Sequence, residues 1–151
     1  MLSIIWGLGL IATTVLLHAF AVAMLDMVLD QSRHRIERRR HLPPLFSLLI
    51  AAVAMAMLAI HAVEVVAWAV AYWWLGAIGS FDDAMFFSLD SYTTRGASGL
   101  LLGRHWRMMG AMEAVDGVVL FGITTAFLFA VMQVWWPIYR LRVFGVGESR
   151  D

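Results

Sequence analysis

Cysteine and lysine are both missing from this chain of 151 residues. Without cysteine, disulfides, thiolate metal sites and cysteine nucleophiles are excluded, and nothing marks a redox compartment. The eleven basic residues are all arginine and are matched by eleven acids. A net charge of zero offers no bulk field for nucleic acid or an acidic partner. Charge of either sign is scarce. Only 15% of residues are charged and 62% are hydrophobic, with a mean hydropathy of +0.78; a soluble domain is about half apolar and about a quarter charged. No Ser-His-Asp set, P-loop or nucleotide fingerprint occurs, and no internal repeat or low-complexity stretch. The chain therefore reads as a non-enzyme of one domain, with no cofactor and no metal assigned.

Long apolar runs fill the space. Ile4 to Leu25 holds 22 residues whose one ionisable group is His18, and about 20 helical residues cross a hydrocarbon core. A secretory signal would need a basic start and a small-residue cleavage site, and neither precedes Asp26. Leu45 to Gly79 carries only His61 and Glu64; as one helix it would reach about 50 Å, so it must tilt or project. Met109 to Trp136 has Glu113 and Asp116 near its start and an uncharged centre. Helices apolar all round have no face to offer water. The expected class is an all-α membrane protein with three transmembrane helices.

The stretch DQSRHRIERRRHLPP holds five arginines and the tail YRLRVFGVGESRD three more. The positive-inside rule places both in the cytoplasm and the N-terminus outside. A bacterial inner (plasma) membrane is the expected location. Pro43 and Pro44 start the second helix, where a missing N–H costs little. The expected layout is an additional N-terminal helix over 1–26, a basic loop over 27–44, a module over 45–136 and a tail over 137–151. Within the module, 45–79 is an outer helix, 80–99 a short helix with a loop, and 108–136 an inner helix.

In SFDDAMFFSLDSYTT, Ser80 is an N-cap, and Asp82 and Asp83 suit the helix dipole. Gly96 and Gly99 then break a helix too short to cross a bilayer. A short helix and a Gly-containing segment between two spans is the pattern of a re-entrant loop, tolerated at membrane depth only where protein buries it or water lines it. This arrangement resembles the pore module of the potassium-channel family, whose core reads Phe-Ser-x-x-Thr-x-Thr-Thr-Val-Gly-Tyr-Gly-Asp. Phe87, Ser88, Thr93, Thr94 and Gly96 match it in register. GVVLFGITTAF is similar to an inner helix, with Gly117 at the hinge glycine and Gly122 and Thr125 following. The resemblance implies a homotetramer in a lipid bilayer that passes inorganic ions passively. Thr93, Thr94, Arg95, Gly96, Ala97 and Ser98 would form the constriction, Thr124 and Thr125 would line or flank the cavity, and Gly117 would permit bending.

The departures from that pattern are Arg95 for valine, Ala97 for tyrosine, Ser98 for glycine and Gly99 for aspartate. A standard potassium filter is not expected to survive them, and non-selective or anion-accepting conduction is an alternative. Ser98 stands where positive φ would strain a non-glycine residue. Arg95 needs a partner, because an unpaired buried charge is costly. Asp90 is the first candidate and Asp116 the second. Four inward guanidinium groups ~6 Å apart would repel by ~3 kcal/mol per adjacent pair at an effective dielectric of ~20. A non-conducting subunit locked by Arg95–Asp90 bridges is the first rival.

His61 and Glu64, three apart, share a helix face and form an intramembrane pair, either structural or proton- and metal-sensitive. His18 is expected to stand alone, bonded locally. Glu113 and Asp116 are expected at the outer mouth, paired with Arg104 and Arg107 or forming a vestibule. A membrane haem or redox protein, with His18, His61 and Glu64 together as haem or metal ligands, is the second rival.

Overall fold

The structure, a computed structural model, describes residues 1–37 and 43–143, with side chains described over 1–32 and 46–137. The described residues form four α-helices: α1 (Leu2–Glu37), α2 (Pro43–Trp74), α3 (Phe81–Tyr92) and α4 (Arg107–Val143). No strand occurs among the described residues. Among the described residues three helices are long and apolar enough to cross a membrane, over Leu2–Ser32, Phe46–Trp74 and Arg107–Pro137. At most 22% of the most apolar window of any of them is buried inside the chain. Most of their apolar surface therefore faces outward.

Two boundaries differ from expectation. The stretch 27–44 is not loop throughout, since α1 continues to Glu37 and α2 begins at Pro43. Charged side chains mark the end of an apolar span, but arginine and glutamate are good helix formers and nothing stops the backbone there. In the same way α4 runs through Pro137 to Val143, into the expected tail. Arg38, Arg39, Arg40 and Arg150 lie outside the described residues.

At the other end of α2, Gly76 adopts φ +68°. The Ala77 and Ile78 N–H groups bond back to the Tyr72 carbonyl, a glycine-based helix stop that satisfies terminal carbonyls. The helix thus ends at Trp74 rather than Gly79. Ser80 then caps α3, its side chain accepting from the Asp83 N–H, with Asp82 and Asp83 in the first turn.

α3 folds back along the C-terminal half of α2. The Phe81 ring meets Trp73 at 5.8 Å, Phe87 meets Tyr72 at 5.2 Å, Ser88 donates to the Val65 carbonyl, and Tyr92 reaches Glu64 and His61. The contacts of α3 therefore pass from the Trp74 end of α2 to its middle. On α4, the Tyr92 carbonyl packs onto Gly117, ten residues after Arg107 and so about 15 Å along the helix. Residues 93–106 carry the chain back to the start of α4.

Two apolar clusters hold the helices together. The larger joins Trp68 and Tyr72 of α2, Ala84 and Tyr92 of α3, and Met109 and Leu120 of α4. The smaller joins Leu29, Val53, Val131 and Trp135 near the opposite end.

Candidate functional site

A stripe of polar residues at helical spacing on α2 (His61, Glu64, Trp68 and Tyr72) faces the other helices and is buried. Thr14 and His18 on α1, and Glu113, Asp116 and Thr124 on α4, meet this stripe layer by layer.

The deepest layer holds both histidines. His18 Nδ1 lies 2.9 Å from Glu64 Oε1, and His61 Nδ1 lies 3.0 Å from Glu64 Oε2. The Tyr92 hydroxyl donates to Glu64 Oε2 at 2.6 Å and lies 2.8 Å from His61 Nδ1. The far nitrogens also converge: Thr124 Oγ1 is 2.9 Å from His61 Nε2 and 3.2 Å from His18 Nε2. Phe121 walls the layer, its ring 4.7 Å from that of His61. His18 is thus not a local, solitary side chain; it joins α1 to α2. Thr124 points into the bundle, whereas Thr125 is exposed and bonds only the Phe121 carbonyl.

One turn on, Asp116 Oδ2 meets the Thr14 hydroxyl at 2.7 Å and the Trp68 Nε1–H at 3.0 Å. Asp116 is therefore not a support for Arg95. Its Oδ1 is the one buried side-chain polar atom without a partner among the described residues. A buried carboxyl with one oxygen unpaired is costly.

Glu113 occupies the third layer, fully buried, accepting from Tyr72 at Oε2 and touching Ser88 at Oε1. Ser88 also bonds the Val65 carbonyl. The serine has one hydrogen, and the carbonyl can only accept. When Ser88 donates to Val65, Glu113 must carry a proton and donate to Ser88. The expected pairing of Glu113 and Asp116 with Arg104 and Arg107 does not occur. Both arginines are exposed, and Arg107 Nε donates to the Leu102 carbonyl instead.

After α3 the loop wraps around its own helix end. Arg95 Nε meets Asp90 Oδ1 at 2.5 Å, and the Ala97 and Ser98 N–H groups donate to the same carboxylate at 3.1 and 2.9 Å. Asp90 is thus the residue that Arg95 meets. Arg95 is not tucked into protein, however: its side chain is 54% exposed and lies over the Phe86 ring. Burial pushes the Asp90 carboxyl up, but the bonds from Arg95, Ala97 and Ser98 outweigh this and hold it below its ordinary value. Positive φ falls at Thr94 (57°), Gly96 (63°) and Gly99 (73°), and the strain expected at Ser98 is absent. Thr93 to Ala97 are exposed. Gly122 has open space around it.

Thr14, Trp68, Tyr72, Ser88 and Tyr92 were not singled out from the sequence as site residues. The signal for several of them is the run of polar and polar-tipped positions at spacings of three and four within apolar helices. Comparison with protein-family models, curated proteins and solved structures finds no match for this chain.

Proposed function

We propose that this chain is an integral membrane protein of three transmembrane helices whose α3 and following loop form a re-entrant segment. Four copies would assemble this segment into a potassium-channel-like path for passive ion movement. The observation that carries the reading is the loop from Thr93 to Ala97, exposed on the single chain beside a helix end that packs about 15 Å along α4. Irregular polar backbone is tolerated at that depth only where protein covers it or water reaches it. Further copies around a wet axis supply both.

The Asp90 carboxylate supports the same reading, because it braces the loop through Arg95, Ala97 and Ser98 from behind. With Arg95, Ala97 and Ser98 in place of the family's residues, the path would not select potassium. Flux from liposomes containing the purified chain tests the proposal. Leak of potassium, sodium or chloride above empty liposomes is expected. Absence of leak for all three would leave the non-conducting subunit.

A further inference from the structure

We propose that His18, His61 and Glu64 form a binding site for one divalent transition-metal ion, of which zinc is the best fit. The site lies inside the bundle and joins α1 to α2, with α3 and α4 completing its walls.

The donor set comes first. The three residues are buried, and each offers a ligand atom within 4.8 Å of the others. Two imidazoles and one carboxylate suit zinc rather than magnesium or calcium, which prefer all-oxygen sites. Tetrahedral zinc with bonds of about 2.0–2.1 Å separates its ligand atoms by about 3.3 Å. The Nδ1-to-carboxylate distances of 2.9 and 3.0 Å need to open by only a few tenths.

The hydrogen count then favours a cation. Thr124 Oγ1 faces both Nε2 atoms, and its hydroxyl is directed at Met57 Sδ, 3.8 Å away. A hydroxyl oxygen accepts two bonds and donates one. Thr124 is satisfied in full when both Nε2 atoms carry hydrogen and its own proton goes to the sulfur. In that tautomer both Nδ1 lone pairs point at the Glu64 carboxylate, and a cation between them stabilises the arrangement. A partner that fixes the tautomer of two ligating histidines is how such sites are oriented.

Charge balance agrees. Glu64 is wholly buried, and no arginine bonds it among the described residues. A buried carboxylate requires a counter-charge. Tyr92, the last residue of α3, donates to Glu64 and so ties the metal to the start of the exposed loop.

The experiment uses the full chain purified in detergent without a polyhistidine tag. Elemental analysis should find about one zinc per chain, the number of sites that the three ligands make. After chelation, added cobalt should give the visible absorption band of a four-coordinate site. Thr124→Val, which keeps the shape but removes the shared acceptor, should weaken zinc binding roughly 10–100-fold. His18→Ala and His61→Ala should abolish it, and His105→Ala, outside the cluster, should not. Wild-type protein with no more zinc than His61→Ala and no cobalt band would overturn the site. The wild-type metal content and cobalt spectrum decide this even if a variant fails to fold. Both read metal rather than flux, so the site stands or falls apart from the pore reading.

Discussion

Gly117 and Gly122 lie on the same helix, and a methyl group added at each meets different surroundings. At Gly117 it would sit 2.1 Å from the Tyr92 carbonyl oxygen, and at Gly122 it meets nothing within 4 Å. Gly117→Ala should cost roughly 1–3 kcal/mol through overpacking against backbone. Gly122→Ala should be neutral or stabilise by up to about 1 kcal/mol. Thermal unfolding in detergent checks both, and equal effects would count against this packing of α3 on α4. In the loop, Asp90 accepts three bonds and Arg95 supplies only one of them, so Asp90→Ala should loosen the loop more than Arg95→Ala. Hydrogen exchange at Ala97 and Ser98 reads the difference. Because the folded carboxyl lies below its ordinary 3.8, the anchoring is complete above that value and is lost as pH falls through the lower folded one. Exchange protection at these two amides should therefore persist through mild acid and fail only below about 3.8.

On the scale of the helices, the buried acids divide into two kinds. Glu64 faces two histidines and a tyrosine hydroxyl, whereas Glu113 faces the hydroxyls of Tyr72 and Ser88 and fits them as a neutral acid when Ser88 donates to Val65. An amide reproduces a protonated carboxyl but not a carboxylate. Glu113→Gln should be tolerated within about 1 kcal/mol, and Glu64→Gln should cost about 3–5 kcal/mol, measured as unfolding midpoints in detergent. The apolar runs made all three long helices legible in the sequence, because length and hydropathy alone decide them. Ser80 and its two aspartates likewise made α3 legible, since a capped first turn is a local property. Helix ends within charged stretches were not legible: α1 persists to Glu37 where only the apolar span had to stop. The His61 and Glu64 pair was visible from its spacing, and His18 could be grouped with it by residue type but not by geometry. His18, Thr124 and Tyr92 reach it from three other helices, and pairing between helices leaves no local mark. Asp116 and Glu113 were misplaced for the same reason. Their position near a helix start suggests solvent, while Thr14, Trp68, Tyr72 and Ser88 supply a buried polar setting.

For the molecule as a whole, the apolar exterior of α1, α2 and α4 suits a lipid bilayer. Native mass spectrometry of the chain released from detergent should give a tetramer if the loops meet on an axis; a monomer throughout would contradict the pore. Combining Arg95→Val, Ala97→Tyr, Ser98→Gly and Gly99→Asp should shift liposome flux towards potassium over sodium if α2, α3 and α4 form a pore scaffold. The polar layers carry one more consequence, for biosynthesis. Thr14 and His18 emerge from the ribosome early, yet Asp116 and Thr124, which face them, come more than a hundred residues later. His18 can meet Glu64 as soon as α2 is made, and Thr14 can bond its own helix, but the contacts of both with α4 must wait until the last helix has been made. A nascent chain halted before α4 would expose that unmet surface to membrane quality control, and release of the complete chain would hide it.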